Sequence, residues 1–286
     1  MNSIPATTVM GAVSLDVADM VSMSKFYADG VGLSVLAEAT GGVITLGRES
    51  QPLIHLRHSP GLKYAGPSEA GLFHTAVLFT DRGSLAAAVS RLSQLFPTSF
   101  TGSADHLVSE AFYFDDLEGN GVELYWDRPR EEWTRIGSQI QMDTLALDPN
   151  MFLTTHLDET SVMNHGRAKS TIGHVHLSVG NIAQASDFYV NQLGFEQTFS
   201  WNGQALFVSA GGYHHHMAMN IWRSRGAGVR QPTLGLGLVE IIVDGADETA
   251  AIADRLQHSG NTVRATDKGF DVDDPWGNTV RIMAAV

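Results

Sequence analysis

The chain has 286 residues, 43% of them hydrophobic, enough for one large core or two medium ones. It contains no cysteine, so disulfides, thiolate metal sites and a cysteine nucleophile are excluded, and any metal must be held by His, Asp, Glu and water. A formal charge of −13 argues against nucleic acid or an anionic membrane as the main partner. The opening MNSIPATTVMGAVSLDV lacks the basic start and long apolar run of a signal peptide, and no apolar run reaches about 18 residues, so a cytoplasmic chain with no membrane span is expected.

The first predicted unit, 9–58, contains GAVSLDVADMVSMSKFYADGVGLSV (11–35). It reads as a strand of alternating apolar residues, a helix carrying Phe26 and Tyr27, and a Gly32-led turn into another strand. The second, 70–127, starts another strand and helix at LFHTAVLFTDRGSLAAAVSRLSQL and ends on FDDLEGNGVELYW (114–126), an extended run, a tight Asp/Gly/Asn turn and a last strand. Residues 128–170, rich in charged and polar side chains, join this half to the next. The third unit, 171–223, contains GHVHLSVGNIAQASDFYVNQLGFEQ (173–197), which aligns without gaps on 11–35, with Phe26 and Phe188, and Gly32 and Gly194, each 162 residues apart. The fourth, 234–285, pairs LGLVEIIVDGADETAAIADRLQHSG with VDDPWGNTVRIMA (272–284), the counterpart of 114–126. A single such unit cannot cover both faces of its sheet, so the units should pair into curved sheets around a pocket. An α+β protein is expected, with an N-terminal half over 1–127, a linker over 128–170 and a C-terminal half over 171–286.

The four units, with their FY helix signal and D-x-x-GN-x-V-E final strand, resemble the vicinal oxygen chelate superfamily, whose repeated unit is βαβββ. The doubled length and the GGYHHH…N-x-W stretch are similar to its two-domain extradiol ring-cleaving, catechol 2,3-dioxygenase-like branch. This resemblance implies an aromatic-catabolism enzyme with a mononuclear metal, Fe(II) with Mn(II) as the alternative, held by two His and one Glu. That arrangement leaves positions open for a catecholic substrate and for O2. Association into an oligomer of identical chains is left open.

In that superfamily the ligands come from the first strands of two paired units and the last strand of one of them. The matching positions here are Ala12, His74, His174 and Leu238 in first strands, and Glu123 and Arg281 in the last strands of units two and four. Pairing each unit with its sequence neighbour gives two incomplete sets. Pairing unit two with unit three gives His74, His174 and Glu123, and leaves units one and four with no ligand and a repelling Arg281. The active pair is therefore expected to join the two halves of the chain, within one chain or between subunits. Without the pattern, a lone strand histidine is more often a hydrogen-bonded structural residue than a ligand. His176, on the same side of its strand as His174, is the competing candidate.

The resemblance also implies groups beside the metal. His215 falls at the position of a proton-handling histidine, Tyr113 at that of a tyrosine ten residues before the ligand Glu, and His106 at that of a substrate-binding histidine, with a spacing that departs by a residue or two. Strand alternation turns His214 and His216 away from His215, toward a surface or an interface. His55 and His58 read as structural or exposed. Met217, Asn220 and Trp222 are candidates for the pocket wall or the core. Two alternatives stand beside ring cleavage: a glyoxalase-type isomerase or lyase, which needs a fourth protein ligand that Ala12 does not supply, and a non-catalytic binding module, which would lack the triad.

Overall fold

A computed structural model describes residues 3–137 and 139–285. Unit one comprises β1 (Val9–Val17), α1 (Met20–Lys25), β2 (Ser34–Ala39), β3 (Val43–Arg48) and β4 (Gln51–His58); unit two comprises β5 (Gly71–Phe79), α2 (Arg82–Leu95), β6 (Phe100–Asp105), β7 (Ser109–Asp115) and β8 (Gly121–Asp127). The joining segment holds three two-residue strands, β9 (Arg135–Ile136), β10 (Gln139–Ile140) and β11 (Leu145–Ala146), then α3 (Pro149–His156) and α4 (Glu159–Met163). Unit three follows as β12 (Ser170–Ser178), α5 (Ile182–Ser186), β13 (Glu196–Trp201), β14 (Ala205–Ser209) and β15 (Met217–Asn220). Unit four is β16 (Gly235–Val243), α6 (Gly245–His258), β17 (Arg264–Thr266), β18 (Gly269–Asp273) and β19 (Thr279–Ala284). The first helices of units one to three start on side-chain caps, Asp19 accepting from the Ser22 amide, Asp81 from Ser84 and Asn181 from Gln184.

Strand pairing crosses the halves of the chain. One sheet runs β17-β18-β19-β16-β1-β4-β3-β2, from units one and four; the other runs β11-β6-β7-β8-β5-β12-β15-β14-β13, from units two and three with one linker strand on its edge. At the centre of the second sheet β5 pairs antiparallel with β12 and parallel with β8. Its three neighbouring strands therefore bring residues from 71–127 and 170–178 side by side.

The repeated FY signal has a structural cause. In both copies the short helix widens into a π turn, Phe26–Val31 after α1 and Asp187–Gln192 after α5. Each tyrosine is buried and donates its hydroxyl to the aspartate of the tight turn in the following unit: Tyr27 to Asp116 at 2.9 Å and Tyr189 to Asp274 at 3.1 Å. Asp116 also accepts from the Glu118 and Asn120 amides, as Asp274 does from Trp276 and Asn278. Because units one and two lie in different sheets, as do three and four, these two bonds tie the sheets together at equivalent places.

Candidate metal centre

Register decides which side chains meet. Ala76 of β5 stands opposite Glu123 of β8 on one side and His174 of β12 on the other. Side chains at paired positions share a face, and His74, two residues from Ala76, shares that face too. The methyl group of Ala76 leaves open the space between the carboxylate and the imidazole. Glu123 Oε2 lies 3.0 Å from His74 Nε2 and 3.1 Å from His174 Nε2, and the two nitrogens are 3.4 Å apart. Ligand atoms about 2.1 Å from one ion, with these separations, subtend roughly 90–110° at it, the spread of three ligands on one face of a coordination sphere.

The donor set fits a divalent cation. All three residues are buried, Glu123 and His174 to 2% exposure. Burial pushes the His174 imidazole down to about 4, so it is neutral at neutral pH. Burial also opposes charge on Glu123, but the adjoining imidazoles outweigh it and hold the carboxyl well below the usual range. The neutral His174 nitrogen, the His74 nitrogen beside it and one anionic oxygen in an enclosed site call for a positive ion. His174 Nδ1 is buried without a hydrogen-bond partner among the described residues. Packing holds this ring instead, with Tyr125 at 4.9 Å and His215 at 4.1 Å between ring centres. Gly173 makes the tyrosine's approach feasible: a Cβ there would lie 1.7 Å from the Tyr125 hydroxyl oxygen.

The other sheet carries no such trio at the matching positions. Arg281 pairs with Asp271 at 2.7 and 3.0 Å, and the Ala12 amide donates to Glu240 Oε2. His55 hydrogen-bonds Thr45 and His58 is exposed.

The triad opens onto a cavity of about 380 Å³ whose wall includes Phe73, His106, Tyr113, Phe199, Phe207, His215 and Trp222. Tyr113 faces Glu123 across the β7–β8 ladder. Its hydroxyl is 2.6 Å from His106 Nε2, and burial together with the Glu123 charge pushes the phenol well above its ordinary pKa, so it stays protonated. His106 Nδ1 donates to the Asp143 carbonyl at 2.8 Å. A neutral His106 therefore accepts the Tyr113 proton at Nε2. His176 also lines the cavity, but its Nε2 accepts from Asn220 Nδ2 at 3.1 Å and it stands outside the trio. Trp222 belongs to the wall, whereas Met217 is fully buried in the core and Asn220 acts through His176.

The histidine run departs from the alternation expected of a strand. Gly211 and Gly212 have φ of 60° and 69°, and β15 begins only at Met217, so residues 213–216 have no strand periodicity. His214 and His216 are buried rather than facing a surface. His216 Nδ1 accepts from the Ala210 amide and lies 3.0 Å from the Ser209 hydroxyl. His214 reaches His215 with one nitrogen and Asp127 with the other. The family resemblance picks out His215, but Asp127, Tyr125 and Tyr213 carry no separate sequence signal. The available hint is that Asp127 and Tyr125 share the VELYWD strand with Glu123.

Comparison with known proteins gives a consistent set of likenesses. Residues 171–282 match the model of the Glyoxalase/Bleomycin resistance protein/Dioxygenase superfamily. The chain is 35% identical over 282 residues to "Catechol-2,3-dioxygenase" of Bacillus subtilis (strain 168), covering 96% of both chains. Among solved structures it resembles a candidate dioxygenase from Bacillus subtilis subsp. subtilis str. 168 (TM-score 0.65, 13% identity, 99% of this chain and 86% of that one). It also resembles glyoxalase I from Zea mays (TM-score 0.59, 13% identity, 97% and 92%).

Proposed function

Because this chain belongs to the glyoxalase/bleomycin resistance protein/dioxygenase superfamily, we propose that it is an extradiol dioxygenase that opens an uncharged catecholic ring on a mononuclear metal held by His74, His174 and Glu123. The observation that carries this reading is the convergence of those three donor atoms, 3.0–3.4 Å apart, at the edge of an aromatic-walled cavity. Fe(II), with Mn(II) as the alternative, would bind catechol and O2 side by side and pass electrons between them.

The protein's own groups supply orientation and proton handling. His215 reaches the cavity beside His174 and takes the proton that a catechol hydroxyl must lose on binding. Tyr113, kept protonated, and His106 form the hydrogen-bonding pair on the substrate side. Phe73, Phe199, Phe207 and Trp222 clasp an aromatic ring and keep water out. No Lys or Arg lines the cavity among the described residues, and its carboxylates are Glu123 and Asp143. A ring bearing a carboxylate would enter without a partner for its charge, so unsubstituted, alkyl- or aryl-catechols are the expected substrates.

The test is anaerobic loading with Fe(II), metal analysis, then addition of catechol, 4-methylcatechol or 3,4-dihydroxybenzoate with O2. Stoichiometric O2 uptake and a yellow product with the first two, little with the third, and none in Glu123→Ala or His174→Ala are expected. A folded preparation that binds neither Fe(II) nor Mn(II), or that binds metal but consumes no O2 with any catechol, would overturn the reading.

A further inference from the structure

Beside the proposed centre lies a chain of hydrogen bonds that starts at a carboxylate and ends at His215. With the carboxylate ionised and His214 singly protonated, donor and acceptor capacity sets its directions. Asp127, at the end of β8, accepts through Oδ2 from the Tyr213 hydroxyl at 2.8 Å and through Oδ1 from His214 Nε2 at 2.9 Å. An ionised carboxylate only accepts, so both partners donate. Having given its proton to Asp127, Tyr213 must accept that of Tyr125, 2.7 Å away. Both phenols are buried and pushed well above their ordinary pKa, so both keep their protons.

A singly protonated His214 places its proton on Nε2, facing Asp127, and leaves its Nδ1 bare. That nitrogen is 2.7 Å from His215 Nδ1. Two ring nitrogens at this distance need one proton between them, and beside a singly protonated His214 it comes from His215.

We infer that Asp127 and His214 are positioning residues that lock His215 in the Nδ1–H tautomer, so that it presents a bare Nε2 to the cavity. The inference rests on the reading of His215 as the proton acceptor for a catechol hydroxyl. The hydroxyl's O–H bond breaks and its proton bonds to the Nε2 lone pair. The oxygen keeps the electron pair as the catecholate, and nothing is oxidised in this step. The positive charge formed on His215 is met through Nδ1–H and the His214 ring by Asp127, which carries the compensating charge two hydrogen bonds away. The left-handed glycines before the run make this possible, because a regular strand would send adjacent histidines to opposite faces.

The wild-type tautomer can be read without metal or turnover. In long-range proton–nitrogen spectra of metal-free, 15N-histidine-labelled protein, His215 should show a protonated Nδ1 and an unprotonated Nε2. A proton resting on Nε2 overturns the inference with no variant required. In Asp127→Ala and in His214→Phe the preference should be lost, and an unchanged His215 tautomer in a folded variant overturns it equally. In the Fe(II)-loaded enzyme, Asp127→Ala should lower kcat tenfold or more with metal content and KM for catechol preserved. Its effect should vanish in a His215→Ala background, and additive losses there would count against the relay. If the spectra behave as expected but no oxygenase activity exists, the relay stands and the proposed reaction falls.

Discussion

Two residues with almost no side chain shape the centre as much as its three donors do. Ala76 sits between Glu123 and His174 in the sheet, and a larger group there would occupy the space in which the donors converge. Ala76 is fully buried, so Ala76→Leu should cost about 1–3 kcal/mol by overpacking and should lose metal binding by a hundredfold or more. A metal titration checks this, and full stoichiometry at wild-type affinity would contradict it. Gly173 acts through Tyr125, whose hydroxyl oxygen would lie 1.7 Å from an added Cβ. Gly173→Ala must displace the tyrosine that packs His174 and donates to Tyr213, at a cost of about 1–3 kcal/mol of overpacking. Thermal melting and metal content should fall together; a variant that melts like wild type would show that the ring yields freely. Neither residue announces itself in the sequence, because an alanine and a glycine carry no chemistry and their meaning comes from strand register. His74, His174 and Glu123 stood out because the family resemblance puts ligands at these strand positions, and the fold brings the three side chains together.

The elements themselves were legible in the sequence, and their partners were less so. Alternation and the FY and Asp/Gly/Asn signals mark the four units, because each element must hide one face and end on a turn. The wall of rings around the cavity is assembled from strands far apart in the chain, which local patterns do not reveal. The two signals also proved to be halves of one device, since the tyrosine of one unit donates to the aspartate of the next, 89 and 85 residues away. Tyr27→Phe and Tyr189→Phe each remove one buried hydrogen bond while keeping the ring, and each should cost about 1–2 kcal/mol. The two share no partner, so the double variant should lose the sum within about 0.5 kcal/mol. Urea midpoints test this; a double variant much weaker than the sum would mean that each bond stabilises the other's contact between the sheets. The histidine run shows where local reading fails. Alternation holds only where backbone geometry is extended, and Gly211 and Gly212 break it just before His214.

At the scale of the whole molecule, pairing across the halves gathers His74, His174, His176, His214, His215 and His216 into one buried cluster. Burial, the largest cause in each case, drives His174 down to about 4 and His216 to about 3, and holds His176 and His215 well below their ordinary value. An unfolded chain takes up these protons near pH 6.5, whereas the folded chain refuses them until the pH is much lower. Between those limits the unfolded state binds more protons, so stability is full above about pH 7 and falls as the pH drops from about 6.5 toward 4. A shift such as that of His174 corresponds to about 3 kcal/mol, and because the rings repel one another once charged, the cluster titrates as a unit. Metal-free protein should therefore show a urea midpoint that declines steeply from pH 7.5 to pH 5. His216→Asn, which keeps an acceptor toward the Ala210 amide but takes up no proton, should show a shallower decline. Equal midpoints at pH 7.5 and 5 would mean that the cluster admits protons without opening. Saturating metal should raise stability at pH 7.5 and lose that advantage in acid, because His74 and His174 must be unprotonated to bind it. The pairing of the two halves thus makes the intact molecule depend on His174, His176, His215 and His216 staying neutral.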